Sequence, residues 1–247
     1  MKAMMKPMPA ALAALVISTA AFAPMAQADE GLSAAAGVAT AYYWRGLQVS
    51  SGPQVWGELT YTLASGFYGD LWTSSEGFGT GPEYDLTAGW SGKVGDLGIN
   101  VGAVTYVYSR DNSQGGKFDD NDPGDFSDAF VKLSYGSAFG GLYYNIARAQ
   151  GQAWVFAGYT IGKFTGSVGY QQFKDHTQIG TLDDKWDYTY VDLTFAATEH
   201  LSITVSSVIN HSGDGRMSGL FATNSVPANL DTNRPKVIAS YSLPISF

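Results

Sequence analysis

Cysteine is absent from the 247 residues. Disulfide staples, thiol catalysis and any cysteine-ligated metal are therefore excluded. Charge is scarce as well: Asp, Glu, Lys and Arg make up 15% of the chain, against about 25% in an average soluble domain. Basic residues are the minority, 14 against 22 acids, and the net charge is −8. Such a chain has no basic face to offer nucleic acid. The Ala-Leu-Glu-Lys blocks of a helical bundle are missing, and 30 glycines would weaken helix interiors. Disorder is excluded by what is abundant: 45% of residues are hydrophobic and 14% aromatic, with 15 Tyr, 13 Phe and 6 Trp. The length suits one domain.

One long apolar stretch exists, from Ala10 to Met25. Lys2 and Lys6 precede it, and Ala26-Gln27-Ala28 followed by Asp29-Glu30 closes it. A basic start, a short apolar core and an A-x-A end describe a secretory signal cleaved after Ala28. A membrane anchor would be longer and would not carry Pro24. The expected organisation is a signal peptide over 1–28 and one exported domain over 29–247. Beyond Ala28 no run is long and apolar enough for a transmembrane helix.

What recurs instead is alternation. In Gln54–Leu63 one parity reads Val55, Gly57, Leu59, Tyr61, Leu63 and the other Gln54, Trp56, Glu58, Thr60, Thr62. The same pattern, typical of half-apolar strands, predicts about twelve segments of membrane-barrel length. They lie near 32–44, 54–64, 66–74, 83–93, 97–109, 128–136, 140–149, 152–161, 164–173, 186–197, 200–210 and 236–247. Short and long connections alternate between them, except for a short one at Gln150-Gly151. A soluble sandwich has no reason to gather its long loops at one end. The expected fold is an all-β, closed, antiparallel, up-and-down transmembrane barrel with short periplasmic turns and longer outer loops. At the C-terminus Tyr241, Leu243, Ile245 and Phe247 share one parity. An aromatic closing an alternating strand resembles the signal read by the barrel-assembly machinery of the bacterial outer membrane. Pro244 cannot donate a ladder bond and belongs near the periplasmic rim. Tyr42, Tyr43, Trp44, Phe67, Trp90, Tyr106, Tyr108, Tyr135, Phe139, Tyr170, Trp186 and Tyr241 fall near strand ends, where aromatic girdles meet the membrane interfaces.

Around residues 42–91 the motifs are specific. Tyr42-Tyr43-Trp44-Arg45-Gly46-Leu47 precedes Ser50-Ser51-Gly52-Pro53-Gln54-Val55. Gly66-Phe67-Tyr68-Gly69-Asp70-Leu71-Trp72-Thr73-Ser74 and Pro82-Glu83-Tyr84-Asp85-Leu86-Thr87-Ala88-Gly89-Trp90 follow. This order resembles the Gcw_chp, or TorF, family of porin-like outer-membrane proteins of Gram-negative bacteria. The resemblance implies an outer-membrane barrel with a pore role and no known substrate. Leu63-Ala64-Ser65 departs from the more polar stretch common in that family, which affects a turn.

If one parity meets lipid, the other meets the lumen. The candidate pore-lining residues are Arg45, Glu58, Asp70, Glu83, Asp85, Asp128, Lys132 and Asp192, with Asn100 and Asn145 beside them. Their acidic balance predicts a narrow channel for small polar solutes or ions, with a weak preference for cations. The same acids could instead pair with Arg45 and Lys132 and plug the lumen, helped by inward Trp56, Trp72 and Tyr68. Such a barrel would act structurally or adhesively through its outer loops. Arg45 is expected at the outer rim, lining a constriction or meeting lipopolysaccharide phosphate, or else bridged to Glu58 or Glu83. Asp119, Asp120, Asp122 and Asp125 crowd one loop, but Pro123 breaks any EF-hand spacing, so a solvated acidic loop is expected and no metal. His176 and His211 are expected in outer loops and His200 at the inner rim, where they cannot share a site. His211-Ser212-Gly213-Asp214 has hydrolase residue types without triad geometry, so no enzyme and no cofactor are expected. The connection 211–235, with Met217, Leu220 and Phe221, could cap the lumen or touch a partner. The expected partners are lipid, lipopolysaccharide, the barrel-assembly machinery and the solute itself.

Overall fold

The computed structural model describes residues 30–50, 52–75, 81–109, 122–147, 151–173, 186–212 and 234–245. The signal segment 1–28, Phe247, Asp119, Asp120, His176 and most of the connection 211–235 lie outside the described residues.

Twelve strands form one closed barrel: β1 (Gly31–Ala39), β4 (Gln54–Thr62), β5 (Phe67–Ser74), β6 (Glu83–Val94), β7 (Leu97–Tyr108), β8 (Ser127–Tyr135), β9 (Ala138–Ala147), β10 (Ala153–Ile161), β11 (Phe164–Phe173), β12 (Trp186–Ala196), β13 (Leu201–Ser212) and β14 (Lys236–Ile245). Two short strands, β2 (Tyr43–Trp44) and β3 (Leu47–Gln48), pair only with each other. Every barrel neighbour is antiparallel. The first and last strands zip together with Ala34 opposite Ile245 and Ala39 opposite Ser240, while β1 also pairs with β4 from Gly31–Thr62 to Ala39–Gln54. Closure leaves no sheet edge, and a sheet in lipid needs that because hydrocarbon cannot bond a free backbone group. Short turns such as Gly95-Asp96 and Gly162-Lys163 gather at the end where β1 starts and β14 finishes. Pro244 sits at that end, opposite Ala35.

The pleat sorts the side chains as the alternation requires. Leu59, Leu71, Leu86, Val101, Leu142, Val155, Val168, Leu193 and Val205 point outward and are exposed. Their cross-strand partners share that face, and the residues next to them in sequence face the lumen. An exposed apolar wall of this size has one suitable solvent, the acyl chains of a bilayer. Tyr61, Phe67, Tyr135, Phe164 and Tyr241 ring it at the short-turn end, and Tyr84, Tyr144 and Tyr170 at the other. Val101→Arg, at the middle of β7, is expected to cost about 2–4 kcal/mol of barrel stability. Denaturant titration of folding into lipid vesicles checks it, with Ser91→Arg on the inner face costing less.

Six inward glycines each lie directly across from an inward aromatic. The pairs are Gly37–Trp56, Gly89–Tyr68, Gly102–Phe130, Gly141–Phe156, Gly158–Phe139 and Gly169–Tyr190. A Cβ on any of them would clash with the facing ring, at less than 3 Å. The rings thus lie flat along the wall instead of crossing the lumen. A narrow barrel thereby carries many aromatics and still keeps an interior.

The first predicted strand, 32–44, is corrected. β1 stops at Ala39, and residues 40–50 turn inward within the first long connection, with the β2–β3 hairpin at its tip. The turn needs two left-handed residues in a row, Arg45 at φ 46° and Gly46 at φ 87°. Arg45 is the one non-glycine residue with positive φ among the described residues. A side chain at Gly46 would collide with the Tyr190 ring.

Candidate functional site

The lumen is the candidate site. Glu58, Asp70, Glu83, Asp85, Asp128, Lys132 and Asp192 all share the inward parity of their strands, as do Asn100 and Asn145. Register sets them in rows. One runs Trp56, Ser74, Glu83, Tyr108; the next runs Glu58, Trp72, Asp85, Tyr106. Nearer the short-turn end, the Asp70 carboxylate accepts from Thr60 Oγ1 at 2.6 Å, and Tyr68 donates to Asn100 Oδ1 at 2.9 Å. Lys132 Nζ stands 4.9 Å from the Phe130 ring centre and 6.0 Å from that of Tyr143. Lys236 has the inward parity at the long-loop end of β14. Lys93 has it at the short-turn end of β6, so six inner-wall carboxylates face three lysines and Arg45.

The β2–β3 hairpin occupies the long-loop half of this space. Tyr42, Trp44, Leu47 and Val49 pack with Trp56, Trp72, Phe139, Trp154, Phe156, Tyr188, Tyr190 and Val208 in one buried cluster. Arg45 at the hairpin tip is 3% exposed. Its Nη2 donates to Asp128 Oδ2 at 3.0 Å and to Tyr106 Oη at 3.2 Å, and its Nη1 donates to Gln171 Oε1 at 3.1 Å. The guanidinium carbon lies 4.4, 4.6 and 5.0 Å from the ring centres of Trp44, Trp154 and Tyr143. Tyr188 Oη donates to the Arg45 carbonyl at 2.8 Å. Asp128 is equally enclosed: Tyr106 Oη donates to Oδ2 at 3.1 Å and Asn145 Nδ2 to Oδ1 at 3.0 Å. A planar fork with five donors suits such a cage, where a lysine could not reach all partners.

Three expectations are corrected here. Arg45 is not at the rim facing lipopolysaccharide, and its ion-pair partner is Asp128, not Glu58 or Glu83. The physical reason is the inward turn after Ala39, which carries the tip across to β8 and β11. Tyr42, Tyr43, Trp44, Tyr106 and Phe139 are buried inside the barrel and do not belong to an interface girdle. Gln171, Tyr188 and Trp154 complete the cage and are not singled out by sequence reading. Their only signal is inward parity near the long-loop end. His200 lies in the turn before β13, its Nε2 3.4 Å from Glu199 Oε1, and His211 lies at the far end of that strand. Asp122 and Asp125 are exposed, their backbones joined by one turn bond of 3.2 Å.

The sequence model of the family described as "Bacterial protein of unknown function (Gcw_chp)" matches residues 24–213, which includes β1 through β13. The chain belongs to the Gcw_chp family. No curated protein matches this Gcw_chp chain. Among solved structures it is similar to the NanC porin, at 11% identity and a TM-score of 0.44, covering 88% of this chain and 99% of that one. It is also similar to the KdgM porin, at 9% identity and a TM-score of 0.43, over 87% and 99%. Outer membrane phospholipase A from Escherichia coli follows at 10% identity and a TM-score of 0.43, over 86% and 95%.

Proposed function

We propose that this Gcw_chp barrel is an outer-membrane channel of Gram-negative bacteria that passes small polar solutes or ions and favours cations. The observation that carries the reading is the chemical split of the wall: apolar outside, and inside six carboxylates against four cations. Lumen carboxylates raise the local concentration of cations and repel anions. The N-terminal segment 1–28 fits export, and 29–247 then forms the barrel domain. Tyr241, Leu243 and Ile245 line the outward face of the last strand, where the assembly machinery could grip them. The lumen chemistry supports no catalytic role. The test is the reversal potential of single channels across a KCl gradient. A cation-selective potential is expected, and Glu58→Gln with Asp70→Asn should move it toward zero without changing the fold. An anion-selective potential would end the proposal.

One observation favours a second reading, a plugged barrel that works through its outer loops. Arg45 is caged on every side, and a guanidinium so fully satisfied holds the hairpin firmly in the lumen. Silence at every voltage in planar bilayers would decide for that reading.

A further inference from the structure

Four polar atoms on one stretch of wall lack a hydrogen-bond partner among the described residues: Trp56 Nε1, Trp72 Nε1, Glu83 Oε2 and Asp85 Oδ1. Buried polar groups are nearly always paired, yet Trp56, Trp72 and Glu83 are more than nine-tenths buried. Register makes the four neighbours. Trp56 and Glu83 flank Ser74 in one row, and Trp72 stands directly opposite Asp85 in the next. The other Glu83 oxygen is already engaged, accepting from Tyr108 Oη at 2.9 Å.

The unpaired set is two indole N–H donors and two carboxyl oxygens beside aromatic rings. An anionic solute would meet two carboxylates. A simple ammonium would leave both indole N–H groups unpaired. A hydroxyl both donates and accepts, so adjacent hydroxyls on one carbon skeleton answer all four atoms. The C–H face of the same skeleton suits an indole ring. Tyr42, just before β2, now covers this place, its ring centre 5.9 Å from that of Trp72 and tilted by 48°.

We propose that the wall of β4, β5 and β6 is a binding site for a small, neutral, polyhydroxylated solute, which takes the place of Tyr42 when the hairpin yields. The site deepens the channel reading and rests on the lumen being reachable from the long-loop end.

The test is isothermal titration of D-glucose and xylitol into the full chain folded in detergent micelles, with D-glucuronate and putrescine as charged comparators. Saturable binding of the two neutral compounds alone is expected. Trp72→Phe keeps a ring, removes the N–H, and should weaken binding about tenfold; Trp90→Phe, on the outer face, should not. If Trp72→Phe does not fold, as judged by its circular dichroism, Asp85→Asn serves as the second variant. Failure of both sugars to bind, saturation by putrescine or glucuronate, or unchanged affinity in the folded variant overturns the site. Planar-bilayer recording separates this from the channel reading. Binding without current keeps the site and removes the channel, and current without binding removes the site alone.

Discussion

Replacing residues 42–49 with a short Gly-Ser turn is expected to raise the unitary conductance of the barrel several-fold. The hairpin fills the long-loop half of a lumen built by twelve strands, and a barrel of that size has little room to spare. Its removal strips packing from one side of the wall rings, but six of them keep their seats on cross-strand glycines. The barrel ladder is also untouched, since β2 and β3 pair only with each other. The shortened chain should therefore still fold and show the same β-sheet signal. Equal conductance before and after the replacement would mean that the hairpin does not limit passage, and the plug would lose its meaning.

Arg45→Ala should be the most damaging single change in the chain. It leaves Asp128 buried at 2% exposure with its counter-charge gone, a situation that costs about 3–5 kcal/mol. The carbonyl contact from Tyr188 and the ring contacts of the guanidinium loosen with it. Denaturant midpoints in micelles measure the loss. Arg45→Ala combined with Asp128→Asn should recover part of it, because the orphaned charge is then neutral. Arg45→Lys should fall in between, since one ammonium cannot serve Asp128, Tyr106 and Gln171 together. A loss below about 1 kcal/mol, the scale of an exposed pair, would show that the cage is not closed in solution.

The barrel was legible because its rule is local. Period two puts Leu59 and Leu71 on one face and Glu58 and Asp70 on the other, whatever the rest of the chain does. Strand number, antiparallel order, closure of β1 on β14 and the inward parity of the seven wall charges all follow from it. The hairpin was not legible, because its reasons are distant. Tyr42-Tyr43-Trp44 read as the aromatic end of a strand, although three aromatics in succession break the alternation that lipid on one side requires. Arg45-Gly46 then supplies two left-handed residues, which a continuing strand could not use. The partner of Arg45 could not be found by spacing, since Asp128 lies 83 residues away and Gln171 lies 126 away. The glycines were read only as unsuited to helices. Their pairing with rings depends on register, which single-strand patterns do not contain.

The distance between the hairpin and its seat also orders events in time. Residues 42–49 are synthesised before any strand that receives them, yet Asp128, Gln171 and Tyr188 come from β8, β11 and β12. No complete docking surface exists until those strands have been added to the growing sheet. Long-range contacts of this kind form late, because the chain between them must first be organised. An open-cored stage during insertion is therefore expected. The stopper is fitted last, from the side where the loops emerge, once the vessel that holds it has been completed.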